Sequence, residues 1–355
     1  MDIGRGIGLE SKQRIGWVDS AKAMGIIAIV LGHALSDCGL KTYLFSFHVA
    51  FFFFLAGVTF SGGKKRFTEF IFSSVKRILV PYLIFAFISV LIYVLLGRAS
   101  SELIGVAVDG DFSFKTNMLG FLWGSGKTEH MKANLPLWFL PCLFAVELMC
   151  FGIQKLANRF SRLGSSKFIL ACALIIGSAG YLNMRFLHVE KLPFGFETAL
   201  NLLPFFALGM ALRPFEGSLR AAVERRRAVL VVSAAVLAVL GIYISSLNGF
   251  VNYFRDSYGR SFLLFWVGVL CSGAAWSAVA VLFEKCRLLN YIGRRTMPIL
   301  LMHKMFIVFF QILVSLLPID GLILLLVQAA YAILSVCLCI IAARIIERFV
   351  PFKVF

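Results

Sequence analysis

The chain has 355 residues, 60% of them hydrophobic, and a mean hydropathy of +0.90, which excludes a soluble domain of this length. A formal net charge of +17 would suit nucleic acid only if the cations shared a soluble face. They sit instead in short gaps between apolar runs, so the chain reads as an all-α integral membrane protein with about ten transmembrane helices in one bundle and no nucleic-acid partner.

In chain order, stretches able to cross about 30 Å of hydrocarbon fall near 15–35, 43–60, 78–97, 137–156, 168–186, 197–213, 228–248, 261–283, 297–317 and 321–343. Starting the first helix in the cytoplasm puts the runs Lys64-Lys65-Arg66, Lys76-Arg77, Arg225-Arg226-Arg227 and Arg294-Arg295 on the cytoplasmic side. The opposite gaps carry scattered cations such as Lys41, Lys127 and Arg260. An even span count with both termini cytoplasmic follows, with an N-terminal segment 1–14, a membrane domain 15–347 and a tail 348–355. The first apolar run carries Asp19 and Lys22 and lacks a small-x-small cleavage site, so it is read as a helix and not as a signal peptide. All cysteines but Cys38 fall in or beside spans, and no CxxC, Cys/His metal spacing or Walker loop occurs. No metal is therefore expected.

The first helix ends on a histidine. At about 1.5 Å per residue, His33 lies roughly 27 Å from Ile15, near the far membrane face, and His48 returns to a similar depth in the second helix. An imidazole in hydrocarbon needs a partner or a chemical role. Asp37 follows His33 by four residues, so His33 is a candidate base with Asp37 or His48 as its orienter; two structural, hydrogen-bonded histidines are the alternative. At the other end of the same helix stand Arg14, Asp19 and Lys22, joined at the start of the third span by Lys76 and Arg77. Asp19 and Lys22 are spaced to pair, and the cations together suit a phosphate-bearing ligand, although positive-inside anchoring explains each alone. Basic cluster and histidines are roughly 20 Å apart, a distance a long thin acyl carrier spans.

Further along, "NMLGFLWG" is a short apolar piece for the interface, and Pro81, Pro141, Pro204 and Pro298 are either kinks lining a cavity or tolerated membrane prolines. Trp138 is either an aromatic-belt residue or a substrate-stacking ring. Glu147 falls mid-span, where a carboxylate must face the bundle interior, for substrate or for structure. His303, about two turns into its span, is a candidate for the cofactor path, and Lys304 can snorkel.

The segments "WVDSAKAMGIIAIVLGHAL", "FSFHVAFFFFLAGVTF", "KRILVPY", "LPLWFLPCLFAVEL", "NLLPFFALGM" and "RRTMPILLMHK" together resemble, in order, the landmarks of the acyltransferase-3 family of bacterial membrane acyltransferases. The branch they resemble most is that of polysaccharide O-acetyltransferases and fucose-4-O-acetylase-like proteins. The resemblance implies transfer of an acyl group, usually acetyl, from cytoplasmic acetyl-CoA to a hydroxyl of a cell-surface or lipid-linked glycan, in the bacterial inner membrane. It implies that His33 is the catalytic histidine and that Arg77 grips the CoA phosphates. Where the family often shows two arginines spaced R-x-x-R, position 74 is Ser and the second cation, Lys76, is adjacent to Arg77. No SGNH-type esterase domain follows the membrane region, so transfer is expected to finish within it. The competing readings are a proton-coupled transporter or glycan flippase, which needs no phosphate grip, and a non-catalytic scaffold, which leaves the histidines idle.

Overall fold

A computed structural model of the chain describes residues 15–103, 112–128, 130–160 and 165–349. Segment 1–14, with Arg14, and residues 350–355 of the tail lie outside the described residues. In hydrocarbon every backbone N–H and C=O must find its partner within the chain, and the long apolar runs do so as helices. The helices are α1 (Gly16–Ala34), α2 (Gly39–Thr59), α3 (Phe67–Ser74), α4 (Val80–Leu103), α5 (Phe114–Trp123), α6 (Phe139–Phe160) and α7 (Ser165–Leu182). They continue with α8 (Phe196–Leu212), α9 (Glu216–Arg225), α10 (Arg227–Asn248), α11 (Phe262–Leu282), α12 (Arg287–Gly293), α13 (Thr296–Ser315) and α14 (Gly321–Phe349). Among the described residues ten apolar helical spans are long enough to cross a membrane, as the hydropathy predicts, and there is no strand. This is a multi-pass membrane protein.

Burial divides the bundle. The spans containing α1, α2, α6 and α8 are mostly buried, whereas α7, α10, α11 and α14 show most of their apolar surface, as helices facing lipid do. The centre is tight because small residues let backbones meet. A Cβ on Gly57 of α2 would collide with the carbonyl of Phe206, and one on Gly209 of α8 with that of Phe54.

Two local departures from regular helix position the site. Between α3 and α4, residues Val75–Leu79 wind as a π-helix, so the third span begins at Phe67, well before the sequence expectation of residue 78. The second is α12, a short helix laid against the start of α1, where Ser20 Oγ donates to Phe283 O at 3.0 Å and contacts Asn290 Oδ1 at 3.1 Å. A Cβ on Gly293 would strike the Asp19 carbonyl, so this contact is as close as backbones allow. Because α12 takes up the chain at that level, α13 starts deeper in the bundle than α1 does. Its first residues, Thr296 and Met297, therefore lie beside Lys22 and Ile26 of α1.

At the opposite end, the approach to α6 is not α-helical. Lys132–Trp138 forms a tighter 3-10 segment with an extended break at Asn134, whose amide donates to Ser89 Oγ (3.1 Å) and Leu301 O (2.9 Å). That amide ties the segment to α4 and α13. The connection from α10 to α11 folds back on itself, and Tyr253 Oη donates to Ser46 O of α2 at 2.9 Å. Lys127, only 8% exposed, holds Asp256 at 2.7 Å and stands 3.8 Å from Glu197, which accepts from the backbone of Lys191 and Leu192. Burial raises the Tyr258 phenol above its ordinary value and the Asp256 carboxylate beside it adds to the effect, so Tyr258 stays a donor to Asp256 at 2.9 Å. Three connections are thus clamped together over the histidine end of the bundle.

Candidate active site

Two cavities lie in line along α1. The larger, about 440 Å³, is basic: Lys22, Lys65 and Arg77 line it together with Glu147, three cations less one carboxylate, or net +2. Its polar lining also includes Thr59, Ser61, Ser73, Ser74 and Thr296. The smaller, about 60 Å³, is lined by His33, His48, Trp138, Asn252, Tyr253 and Phe254 among other apolar and aromatic side chains, with no Lys or Arg.

One face of each of two helices builds both. On α1 the residues are Lys22, Ile26, Ile29 and His33, spaced i, i+4, i+7, i+11, which returns to the same side of a helix at every step. On α2 they are Phe45, His48, Val49, Phe52, Ala56 and Thr59, running the other way. Lys22 and His33 are eleven residues apart, roughly 16 Å along the axis. Ile29, Phe139 and Leu300 line both cavities, so the two share a three-residue apolar wall.

In the basic cavity only one of two adjacent cations takes part. Arg77 lines the cavity, while Lys76 is exposed and does not. Arg77 Nη2 donates to both carboxylate oxygens of Glu147, at 2.7 and 2.6 Å, and Ser74 Oγ donates to Oε2 at 3.1 Å. Glu147 is 3% exposed and Arg77 58%, so the carboxylate anchors a guanidinium whose other nitrogens remain toward the opening. Ser74, the position where the resemblance expects a second arginine, serves the same carboxylate. Lys65 Nζ donates to Ser73 Oγ at 2.8 Å.

Of the two candidate substrate contacts, Glu147 therefore lines the basic cavity and Trp138 the small one. Asp19 does not line either cavity: the turn after α12 brings Arg294 Nε to its Oδ2 at 3.3 Å, so it pairs there and not with Lys22. Asp37 stands apart as well. Its side chain is 98% exposed and bonded to Lys41 at 2.9 Å, a bond that lowers its pKa below the ordinary carboxylate value. Helix α1 has ended at Ala34, which breaks the i, i+4 relation that would have set Asp37 beside His33.

At the histidine end, His48 Nδ1 lies 2.6 Å from Leu44 O; a carbonyl only accepts, so that nitrogen carries the proton. The His33 side chain makes no hydrogen bond among the described residues. Its ring meets Phe45 edge-on at 5.5 Å and the ring of His303 at 5.4 Å. The sequence put His303 on the cofactor path because it lies two turns into α13; the deeper start of α13 carries it to the level of His33 instead. Lys65, Thr296, Asn252, Tyr253 and Phe254 were not singled out from the sequence. The repeat 22, 26, 29, 33 was the available signal for the passage, but the loop residues have no periodicity that would reveal them.

The family model for the acyltransferase domain of the acyltransferase-3 family matches residues 15–344. The chain belongs to that family and is a membrane acyltransferase. No curated protein and no solved structure matches it.

Proposed function

We propose that the protein is an O-acyltransferase that takes an acetyl group, or another short uncharged acyl group, from acyl-CoA in the basic cavity and passes it to a hydroxyl at His33. The acceptor in this reading is a cell-surface or lipid-linked glycan. The observation that carries it is the shared partition: one stripe of α1 runs from Lys22 to His33, and Ile29, Phe139 and Leu300 belong to both cavities. Phosphates of CoA pair with Arg77, Lys22 and Lys65 through charge-assisted hydrogen bonds, and the extended pantetheine arm covers the roughly 16 Å to His33. The apolar partition closes around the arm and keeps water from the thioester.

The chemistry needs one base. The acceptor hydroxyl attacks the thioester carbonyl while His33 takes its proton; the C–O bond forms, the C–S bond breaks, and the proton passes to the departing CoA thiolate. General-base assistance of this kind is worth on the order of 100- to 10,000-fold. Trp138, Tyr253 and Phe254 offer flat faces for a sugar ring, and Asn252 a polar edge. The absence of Lys and Arg from the small cavity favours a neutral acyl group over a succinyl group, whose carboxylate would be buried unpaired.

Positive-inside bias puts the basic cavity on the cytoplasmic side of a bacterial inner membrane, where acyl-CoA is made, with both termini on that side. The test uses purified protein in lipid vesicles with acetyl-CoA and glycan acceptor, reading CoA release and acyl-glycan by mass spectrometry. His33→Ala is expected to lower turnover at least about 100-fold while the protein remains inserted. Unchanged turnover in that variant would remove His33 as the base.

A further inference from the structure

His303 has no role in the mechanism above, and it is fully buried. Its Nδ1 lies 3.0 Å from Ile299 O and 2.9 Å from Leu300 O. Both are carbonyls and only accept, so Nδ1 carries the hydrogen, and Nε2 of the neutral ring is a bare acceptor. That Nε2 is buried and has no hydrogen-bond partner among the described residues. An orphaned acceptor inside a membrane protein is costly and calls for an explanation. The ring beside it is His33, at 5.4 Å between centres, a separation equal to two ring radii plus a hydrogen bond of about 3 Å.

We infer that His303 is the positioning residue for His33: its Nε2 accepts the N–H of the His33 ring from behind, so that the other His33 nitrogen faces the small cavity as the base. This rests on the acyl-transfer reading above. The placement is right for the task, since His33 lines the small cavity on one side and touches His303 on the other, while His303 does not line that cavity. The two rings are tilted by 39° and not yet hydrogen-bonded, so the inference requires the His33 ring to reorient toward Nε2. Such catalytic hydrogen bonds commonly tighten only when substrate is bound. The chemistry also favours an imidazole over a carboxylate here. A neutral acceptor fixes the tautomer of the base without placing a charge in the hydrocarbon interior, whereas the acid nearest in sequence, Asp37, is turned to solvent on Lys41.

The test compares three variants of the full-length protein in vesicles, with acetyl-CoA affinity measured on the same samples. His303→Gln keeps an amide oxygen at the reach of Nε2, His303→Asn reaches only as far as Nδ1, and His303→Leu has no acceptor. The expected result is a kcat lowered about 100-fold in the Leu and Asn variants, with KM for acetyl-CoA within about twofold, and recovery to within about tenfold of wild type by Gln. A wild-type kcat in the Leu variant overturns the inference. Should the Leu variant fail to insert, the amide pair decides: Gln active and Asn inactive supports it, and equal kcat in both overturns it. A wild-type protein that releases no CoA with any acceptor would defeat the acyl-transfer reading itself, a result distinct from active wild type with indifferent variants.

Discussion

The two cavities differ in every property that matters to a ligand. One is wide, about 440 Å³, with three cations and a carboxylate; the other is about 60 Å³, aromatic and free of fixed charge. Phosphates are recognised by charge and can be held loosely at a wet opening, so the basic end needs cations more than it needs shape. Proton abstraction and acyl selection need a dry, fitted space, so the histidine end needs shape more than it needs charge. A single helical stripe on α1 supplies both, changing from Lys22 to Ile29 to His33 over roughly 16 Å.

Substitutions at each end are expected to separate the two properties. After the loss expected for His33→Ala, the largest effect belongs to the basic end. Arg77→Ala removes the guanidinium and leaves the buried Glu147 carboxylate with Ser74 alone, so KM for acyl-CoA is expected to rise about 10- to 100-fold and thermal stability to fall. Adding Glu147→Gln is expected to restore the stability but not the KM, because the stranded charge is gone and the phosphate contact is not restored. Recovery of both in a double-mutant cycle would show that Arg77 serves only to neutralise Glu147.

The partition gives the next largest effect. Leu300→Ala opens the wall common to both cavities, and the kcat/KM preference for acetyl over butyryl donors is expected to shrink about tenfold, the usual worth of one or two methylenes in an apolar pocket. Competition between labelled acetyl- and butyryl-CoA reads this directly. An unchanged ratio would place the acyl group elsewhere. The smallest effect is at Asp37. Asp37→Asn is expected to leave kcat within about twofold of wild type, since its carboxylate faces solvent and its partner is Lys41. A large loss would return Asp37 to the role of orienter.

Much of the fold was legible because hydrocarbon imposes one rule on every span, and hydropathy reads that rule. The number of spans, the common level of His33 and His48 and the inward aim of Glu147 all follow from it. What hydropathy does not read is where regular helix breaks. The π-helix at Val75–Leu79, which carries Arg77 facing the cavity and Lys76 exposed, has no compositional mark. Nor does the close seat of α12 on α1, which shifts α13 inward and takes Asp19 for Arg294 and His303 for His33. The same holds for the connection around Asn252–Phe254, aromatic in the sequence but aimed by contacts such as Tyr253 on Ser46 and the Lys127–Asp256 clamp. These are tertiary contacts between segments far apart in the chain, and periodicity within a segment carries no trace of them.

The central claim is that one passage joins the basic cavity to His33. The most direct measurement is a cryo-electron microscopy structure with a non-hydrolysable acetyl-CoA analogue bound. The account predicts phosphate density at Arg77, Lys22 and Lys65, the pantetheine arm threaded between Ile29, Phe139 and Leu300, and the acyl carbonyl within reach of the His33 ring. An analogue bound elsewhere, or held at Arg77 with the partition closed and its acyl end directed away from His33, would contradict it.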